Sequence, residues 1–175
     1  MDDALQRRFL DHSVEKLGQY TARIETCLRM LTDDQIWSRG HENENAVGNL
    51  VLHLCGNVRQ WIVSGVGGHP DTRKRDEEFT ARGGMVIDDL LRKLKDTVAE
   101  ASAVITAVTP EVFAKNLIVQ GYPVNGMEAI YHVVEHFSMH TGQIIFATKL
   151  MTGTDLGFYA HLGGGGKARH TEKAP

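Results

Sequence analysis

Apolar residues recur three, four or seven positions apart along most of this chain, and the strict alternation that marks half-buried strands is nearly absent. That pattern restricts the chain to helices packed by their apolar faces. Four periodic stretches stand out. The first runs from about Asp2 to Leu31 through Leu5, Phe9, Val14, Leu17, Ile24, Leu28 and Leu31. The second, about Asn45 to Ser64, carries Leu50, Leu54, Val58 and Trp61, with Asn45 as its candidate N-cap and "GVGGHP", Gly65–Pro70, as its stop. The third is roughly Met85 to Val108, ending before Pro110, and the fourth roughly Asn125 to Met151. An extended piece or short hairpin is expected around Ile118–Tyr122. Four long helices with short to medium connectors predict an all-α four-helix bundle. Residues 1–160 are expected to form a single domain and the glycine-rich segment 161–175 a flexible tail.

At 175 residues the chain is long enough to bury a core without disulfides or a structural metal. Any metal is then expected to serve function rather than folding. The formal net charge of -3, from 19 basic and 22 acidic residues, gives no electrostatic footprint for nucleic acid. The longest basic cluster, Arg73–Arg75, is followed at once by Asp76, Glu77 and Glu78, and the segment reads as a solvated loop. No apolar run is long enough to span a membrane, and the charged start "MDDALQRRFLDHSVEKL" has no signal-peptide character. With Cys27 and Cys55 forming no CxxC pair, a cytoplasmic protein is expected. The "GGGGK" near the end lacks the GxxxxGK[ST] spacing and a preceding strand, so it is not a phosphate loop.

The chemistry concentrates in "YHVVEHFSMHTGQ", which spaces His132, His136 and His140 four residues apart on the fourth helix. Residues at i and i+4 lie on one helix face with Cβ atoms about 5–6 Å apart, close enough to converge on one ion. His132 and His140 lie about 12 Å apart along the axis, so all three cannot share an ion from an unbroken helix. The pair is therefore His132 with His136, or His136 with His140. The apolar stripe of this helix is read as Met127, Ile130, Val134, Phe137, Thr141, Ile144 and Thr148. His140 lies roughly 80° from its centre, His136 roughly 120° and His132 roughly 160°. This favours His136 with His140 and turns His132 toward solvent or a partner. A third ligand should come from another helix. His53 lies at the polar edge of the second stripe, roughly 90–100° from its centre, with Asn49, Asn57 and Gln60 nearby. Three imidazoles without a thiolate or carboxylate would leave positions open for water or substrate, the pattern of a catalytic site.

A lone histidine on an amphipathic helix is usually packed or solvated, and His12, His41, His69, His161 and His170 receive no role. Cys27 and Cys55 read as small buried hydrophobes, and Trp61 and Phe137 as core. Glu135 is off the His136 face. No Ser–His–Asp or paired-carboxylate arrangement can be read from the spacing.

"NAVGNLVLHLCGNVRQWI", Asn45 to Ile62, followed by "YHVVEHFSMHTGQIIFATKLMTG", resembles the DinB/YfiT-like superfamily of bacterial metal-binding four-helix bundles, most closely a branch with no assigned reaction. The likeness extends from the first helix to about Tyr159. It implies an up-down-down-up bundle, commonly a homodimer. It also implies one divalent metal ion per chain, often zinc or nickel, held by His53, His136 and His140. Thr141, Gly142 and Gln143 match the pattern without an assigned role. Characterised relatives include S-transferases and isomerases that use a low-molecular-weight thiol as co-substrate, so thiol transfer to a small electrophile is the expected chemistry. A metal-dependent hydrolase and a non-catalytic, stress-related metal- or ligand-binding bundle are the alternatives.

Overall fold

The structure, a computed structural model, describes residues 3–162. The expected tail falls outside the described residues from 163 onward; its first two residues close a short 3₁₀ turn, Ala160–Leu162. The helices are α1 (Asp3–Leu28), α2 (Val47–Val58, continuing as a π-helical stretch Arg59–Val66), α3 (Arg75–Thr80), α4 (Ile87–Thr106), α5 (Pro110–Ala114) and α6 (Gly126–Thr152). Strands β1 (Asn116–Val119) and β2 (Tyr122–Asn125) form the anticipated hairpin. Its two-residue turn, Gln120–Gly121, has positive φ at both positions, the turn that matches strand twist.

Local chemistry explains the boundaries. Asn125 opens α6 with a capping box: its side chain accepts from the Glu128 amide at 2.9 Å, and Glu128 accepts from the Asn125 amide at 2.8 Å. Asn45 does not cap α2. Ala46 stands at the cap, and the Asn49 side chain accepts its amide instead, at 3.1 Å. The buried face of α1 runs through Gln6, Leu10, Ser13, Leu17, Thr21, Ile24 and Leu28, whereas Leu5 is exposed. Polar residues occupy that stripe because Ser13 and Thr21 donate to the carbonyls of Phe9 and Leu17, each at 2.7 Å, and so bury no unpaired hydroxyl.

Long-range contacts fix the directions. Arg7 donates to the Thr106 carbonyl and Arg29 pairs with Asp88, so α1 and α4 are antiparallel. Phe9 meets Phe113 of α5, whose backbone packs on Gly126 at the start of α6, Tyr20 stacks on Phe137 and Arg23 lies over Phe158 just after the helix, so α1 and α6 are parallel. Arg59 pairs with Glu100 and Gly67 approaches Val104, so α2 runs parallel to α4. His53 meets His136 while Trp61 meets His132, so α2 and α6 are antiparallel. The bundle is up-down-down-up, with one apolar core drawn from all four long helices. Among the described residues no helix is long and apolar enough to cross a membrane.

Because α2 and α4 are parallel, segment 67–86 must climb back along the bundle, and α3 lies within it. Asn49 clamps this crossover to α2 through bonds to the carbonyls of Glu78 at 2.8 Å and Ala81 at 3.0 Å. Trp37 holds its end by donating to the Met85 carbonyl at 2.9 Å. The solvated loop expected at Arg73–Glu78 is therefore a packed strap: Arg73 and Glu78 are buried against α2. A cavity of about 900 Å³ lies under the strap between α2 and α4, and none of the three candidate ligands lines it.

Candidate metal centre

The antiparallel contact of α2 with α6 sets His53 opposite one turn of α6. His53 Nε2 lies 3.1 Å from His136 Nε2, which lies 3.2 Å from His140 Nε2. One nitrogen from each ring falls within 4.8 Å of the others. The three histidines singled out from the sequence are thus brought together. The buried face of α6 uses Ala129 and Val133 rather than Met127 and Val134, which turns it by roughly 40° toward the histidines. That places His140 in the core edge and His136 at half-burial.

Neighbouring acceptors set the tautomers. His53 Nδ1 faces both Glu78 Oε2 at 3.0 Å and Arg73 Nη2 at 3.1 Å. Nη2 already donates to Glu78 Oε2 at 2.8 Å, so the carboxylate, which can only accept, takes the Nδ1–H and leaves the His53 lone pair on Nε2. His140 donates through Nδ1–H to Gln143 Oε1 at 2.7 Å, which again leaves Nε2 as a lone pair. His136 sits between them with Nε2 facing both, and its Nδ1 is buried without a partner. Glu78 is itself fixed by Arg73, whose Nε and Nη2 donate to Oε1 and Oε2 at 2.7 and 2.8 Å. Burial pushes the Glu78 carboxyl up, but the bonds from Arg73 and His53 outweigh it and hold the group below the usual carboxylate range. Arg73 also donates to Gln60, at 2.8 Å. Gly56 makes room for this arrangement: a Cβ there would sit 1.8 Å from Glu78 Oε1.

Burial, then the neighbouring His140, His53 and His132 and the Arg73 cation, pushes His136 down to about 3. Burial lowers His140 as well, against the opposing bond to Gln143. Both rings are therefore neutral near neutral pH, the state a metal ligand requires. A proton on His136 Nε2 could be donated to only one of its two neighbours, 3.1 and 3.2 Å away, whereas a cation among the three nitrogens would satisfy all of them. Ligands bonded at about 2.0–2.1 Å to one tetrahedral ion stand roughly 3.3 Å apart, and cis ligands of an octahedral ion roughly 2.9 Å. The spacing of His136 from each of its two neighbours fits a shared ion. The donor set is compatible with a metal site, and Glu78 and Gln143 supply the carboxylate and amide oxygens that accept from the N–H groups of His53 and His140, as such ligands ordinarily require.

His132 does not turn to solvent. It is half-buried against α2, its ring 4.0 Å from Trp61 and its Nε2 3.5 Å from Asn57 Nδ2, and it stands outside the cluster. The same rotation of the α6 face accounts for this. The residues that orient the ligands, Glu78, Arg73 and Gln143, escape a reading by helix phase. The first two arrive on the crossover, from a stretch whose composition reads as surface.

Residues 4–160 match the family described as "Protein of unknown function (DUF1572)". The chain belongs to that family, which lies within the DinB/YfiT-like group. A conserved protein from Enterococcus faecalis has a similar structure, with a TM-score of 0.70 and 17% identity, over 82% of this chain and 97% of that one. A DinB-like protein from Bacillus cereus aligns with a TM-score of 0.66 and 13% identity, over 83% of this chain and 94% of that one. At such identities the likeness is one of fold. No curated protein matches the chain.

Proposed function

We propose that this family member is a cytoplasmic metal-dependent enzyme that transfers a low-molecular-weight thiol to a small electrophile, using one zinc or nickel ion held by His53, His136 and His140. The observation that carries the proposal is the convergence of three imidazole Nε2 atoms, two of them held as lone-pair donors by Glu78 and Gln143. When bound, the ion would supply Lewis acidity, lowering the pKa of a thiol or polarising a carbonyl.

The chain's own residues favour thiol activation over hydrolysis. The ligands are neutral, and the charge of Glu78 is cancelled by Arg73. The charge of a divalent ion is then left for an anionic co-ligand such as a thiolate. Hydrolysis would call for a free base beside the reacting water, and both Glu78 oxygens are already committed to Arg73 and His53. In the transfer, the thiol loses its proton to solvent water and its sulfur forms a bond to the electrophilic carbon. The leaving group departs with its bonding pair.

The test is consumption of a panel of bacterial thiols with a panel of electrophiles by zinc- or nickel-loaded protein, beside His53→Ala. Turnover lost in the variant supports the proposal. Ester or amide cleavage without thiol consumption would move the assignment to a hydrolase. Absence of any turnover above the variant would favour a non-catalytic binding role.

A further inference from the structure

Three arginines gather round Phe79, and Phe79 packs on a metal ligand. Phe79 is half-buried on the crossover, its ring centre 4.7 Å from that of His53. The Arg75 guanidinium lies over the Phe79 ring, 4.8 Å from its centre. Arg39 Nη2 donates to the carbonyls of Phe79 and Ala81, each at 3.2 Å. Arg82 Nη1 donates to the same two oxygens, at 3.0 and 3.2 Å. Two guanidinium groups therefore share one pair of carbonyl oxygens, and a third sits on the ring that meets His53.

Their charges are not balanced within the chain. The two cations that precede Arg75 are neutralised, Arg73 by Glu78 and Lys74 by Glu77. Among the described residues, Arg39, Arg75 and Arg82 form no ion pair with a carboxylate. Glu44, whose carbonyl accepts from Arg39, turns its carboxylate to the Gly40 amide at 2.6 Å. Arg39 Nε is buried without an acceptor. Burial, then the Arg82 cation, lowers the Arg39 pKa, so the field at this point is positive. Carbonyl dipoles satisfy individual N–H groups but leave the three full charges to repel one another. A guanidinium fork is the donor that matches an oxyanion in shape and charge.

We infer that this cluster binds an oxyanion, a carboxylate or a phosphate, carried at the far end of the thiol whose sulfur reaches the ion. The inference rests on the thiol-transfer reading above and names its substrate class, an acidic thiol rather than a neutral or cationic one. The two successive ring contacts from His53 through Phe79 to Arg75 set the reach, so the oxyanion lies several bonds from the sulfur. Phe79 offers apolar surface to the chain between. No acidic group at the centre opposes such a molecule, since the three ligands are imidazoles and Glu78 is neutralised by Arg73.

Cobalt(II)-loaded protein tests this, because a thiolate bound to cobalt gives a charge-transfer absorption that can be titrated. The probes are 6-mercaptohexanoate and 6-mercaptohexanol, alike in length and different in charge. Wild type is expected to bind the acid about tenfold or more tightly than the alcohol. In the double variant Arg75→Gln, Arg82→Gln the preference should fall to within about twofold, with affinity for the alcohol unchanged. A residue that only braces the crossover would not move this charge preference. Arg39 is left in place because it also holds Asn49. Cobalt content and melting temperature control for the fold of the variant, and the wild-type comparison of the two thiols stands without it. In a parallel arm, hexanoate and inorganic phosphate are added to zinc-loaded protein, and whichever oxyanion the cluster takes should raise the melting temperature of wild type but not of the variant. Equal affinity of wild type for the two thiols, or a preference untouched by the double substitution, overturns the inference and leaves the thiol reading standing. Stabilisation by an oxyanion without binding of either thiol supports the arginine site and overturns the thiol reading. Absence of both effects overturns both.

Discussion

Replacing Glu78 by Gln separates the role of this residue at the metal centre from its role in holding the crossover. The carboxylate now serves two donors with its two oxygens: His53 Nδ1–H at 3.0 Å and the Arg73 guanidinium at 2.7 and 2.8 Å. A glutamine has one acceptor oxygen. If it stays with the buried guanidinium, the amide NH₂ faces His53 Nδ1, which must then accept. The ring proton moves to Nε2, the atom facing His136, and the ligand lone pair is lost. Loss of such a supporting carboxylate weakens metal binding by about 10–100-fold, equivalent to about 1.4–2.7 kcal/mol. Separately, leaving Arg73 buried without its carboxylate costs up to about 3–5 kcal/mol of folding stability. The actual cost should fall below that, because Gln60 still accepts from Nη1. Zinc affinity of the folded variant, measured by competition with a chromophoric chelator, reports the first effect, and melting of the metal-free protein reports the second. A zinc affinity within about twofold of wild type alongside a lowered melting temperature would show that Glu78 holds only the strap, and the argument for His53 orientation would fail.

Three further outcomes follow from the same geometry. Gly56→Ala keeps every charge but drives a Cβ into Glu78 Oε1, so it should lower zinc affinity and cost about 1–3 kcal/mol of stability; equal affinity would mean the carboxylate has another seat. The pH dependence of the metal-free protein has a defined sign. His136 is held down to about 3 in the folded chain and titrates near 6.5 when unfolded, so the unfolded state binds more protons between those values. Stability should therefore decline as pH falls from 6.5 toward 3, and the decline should shrink in His136→Ala; denaturant melts across that window check it. Finally, burial pushes the Cys55 thiol up to about 12 and raises Cys27 as well, so neither should be alkylated in the native protein near neutral pH, as mass spectrometry after iodoacetamide treatment would show.

The four long helices were legible because each spends its apolar residues on one face, and the i, i+4 spacing of His136 and His140 is a geometric statement in itself. Phase arithmetic brought His53 to the same edge. It misplaced His132, because Val134 was read into the α6 stripe where Ala129 and Val133 in fact face the core. It misread α1 for a related reason: Ser13 and Thr21 hide their polarity in bonds to their own helix, which no hydropathy pattern displays. Arg73 and Glu78 could not be recovered from local pattern at all. Their burial depends on the parallel order of α2 and α4, which forces the charged segment back over His53.

The central claim is that His53, His136 and His140 hold one ion and His132 does not take part. It is tested most directly by metal content per chain in gently purified and zinc-loaded protein, for wild type and the four single alanine variants at these positions. The account predicts about one ion per chain in wild type and in His132→Ala, and loss or marked weakening in His53→Ala, His136→Ala and His140→Ala. Retention in His140→Ala with loss in His132→Ala, or a wild type that binds no ion when loaded, would contradict it.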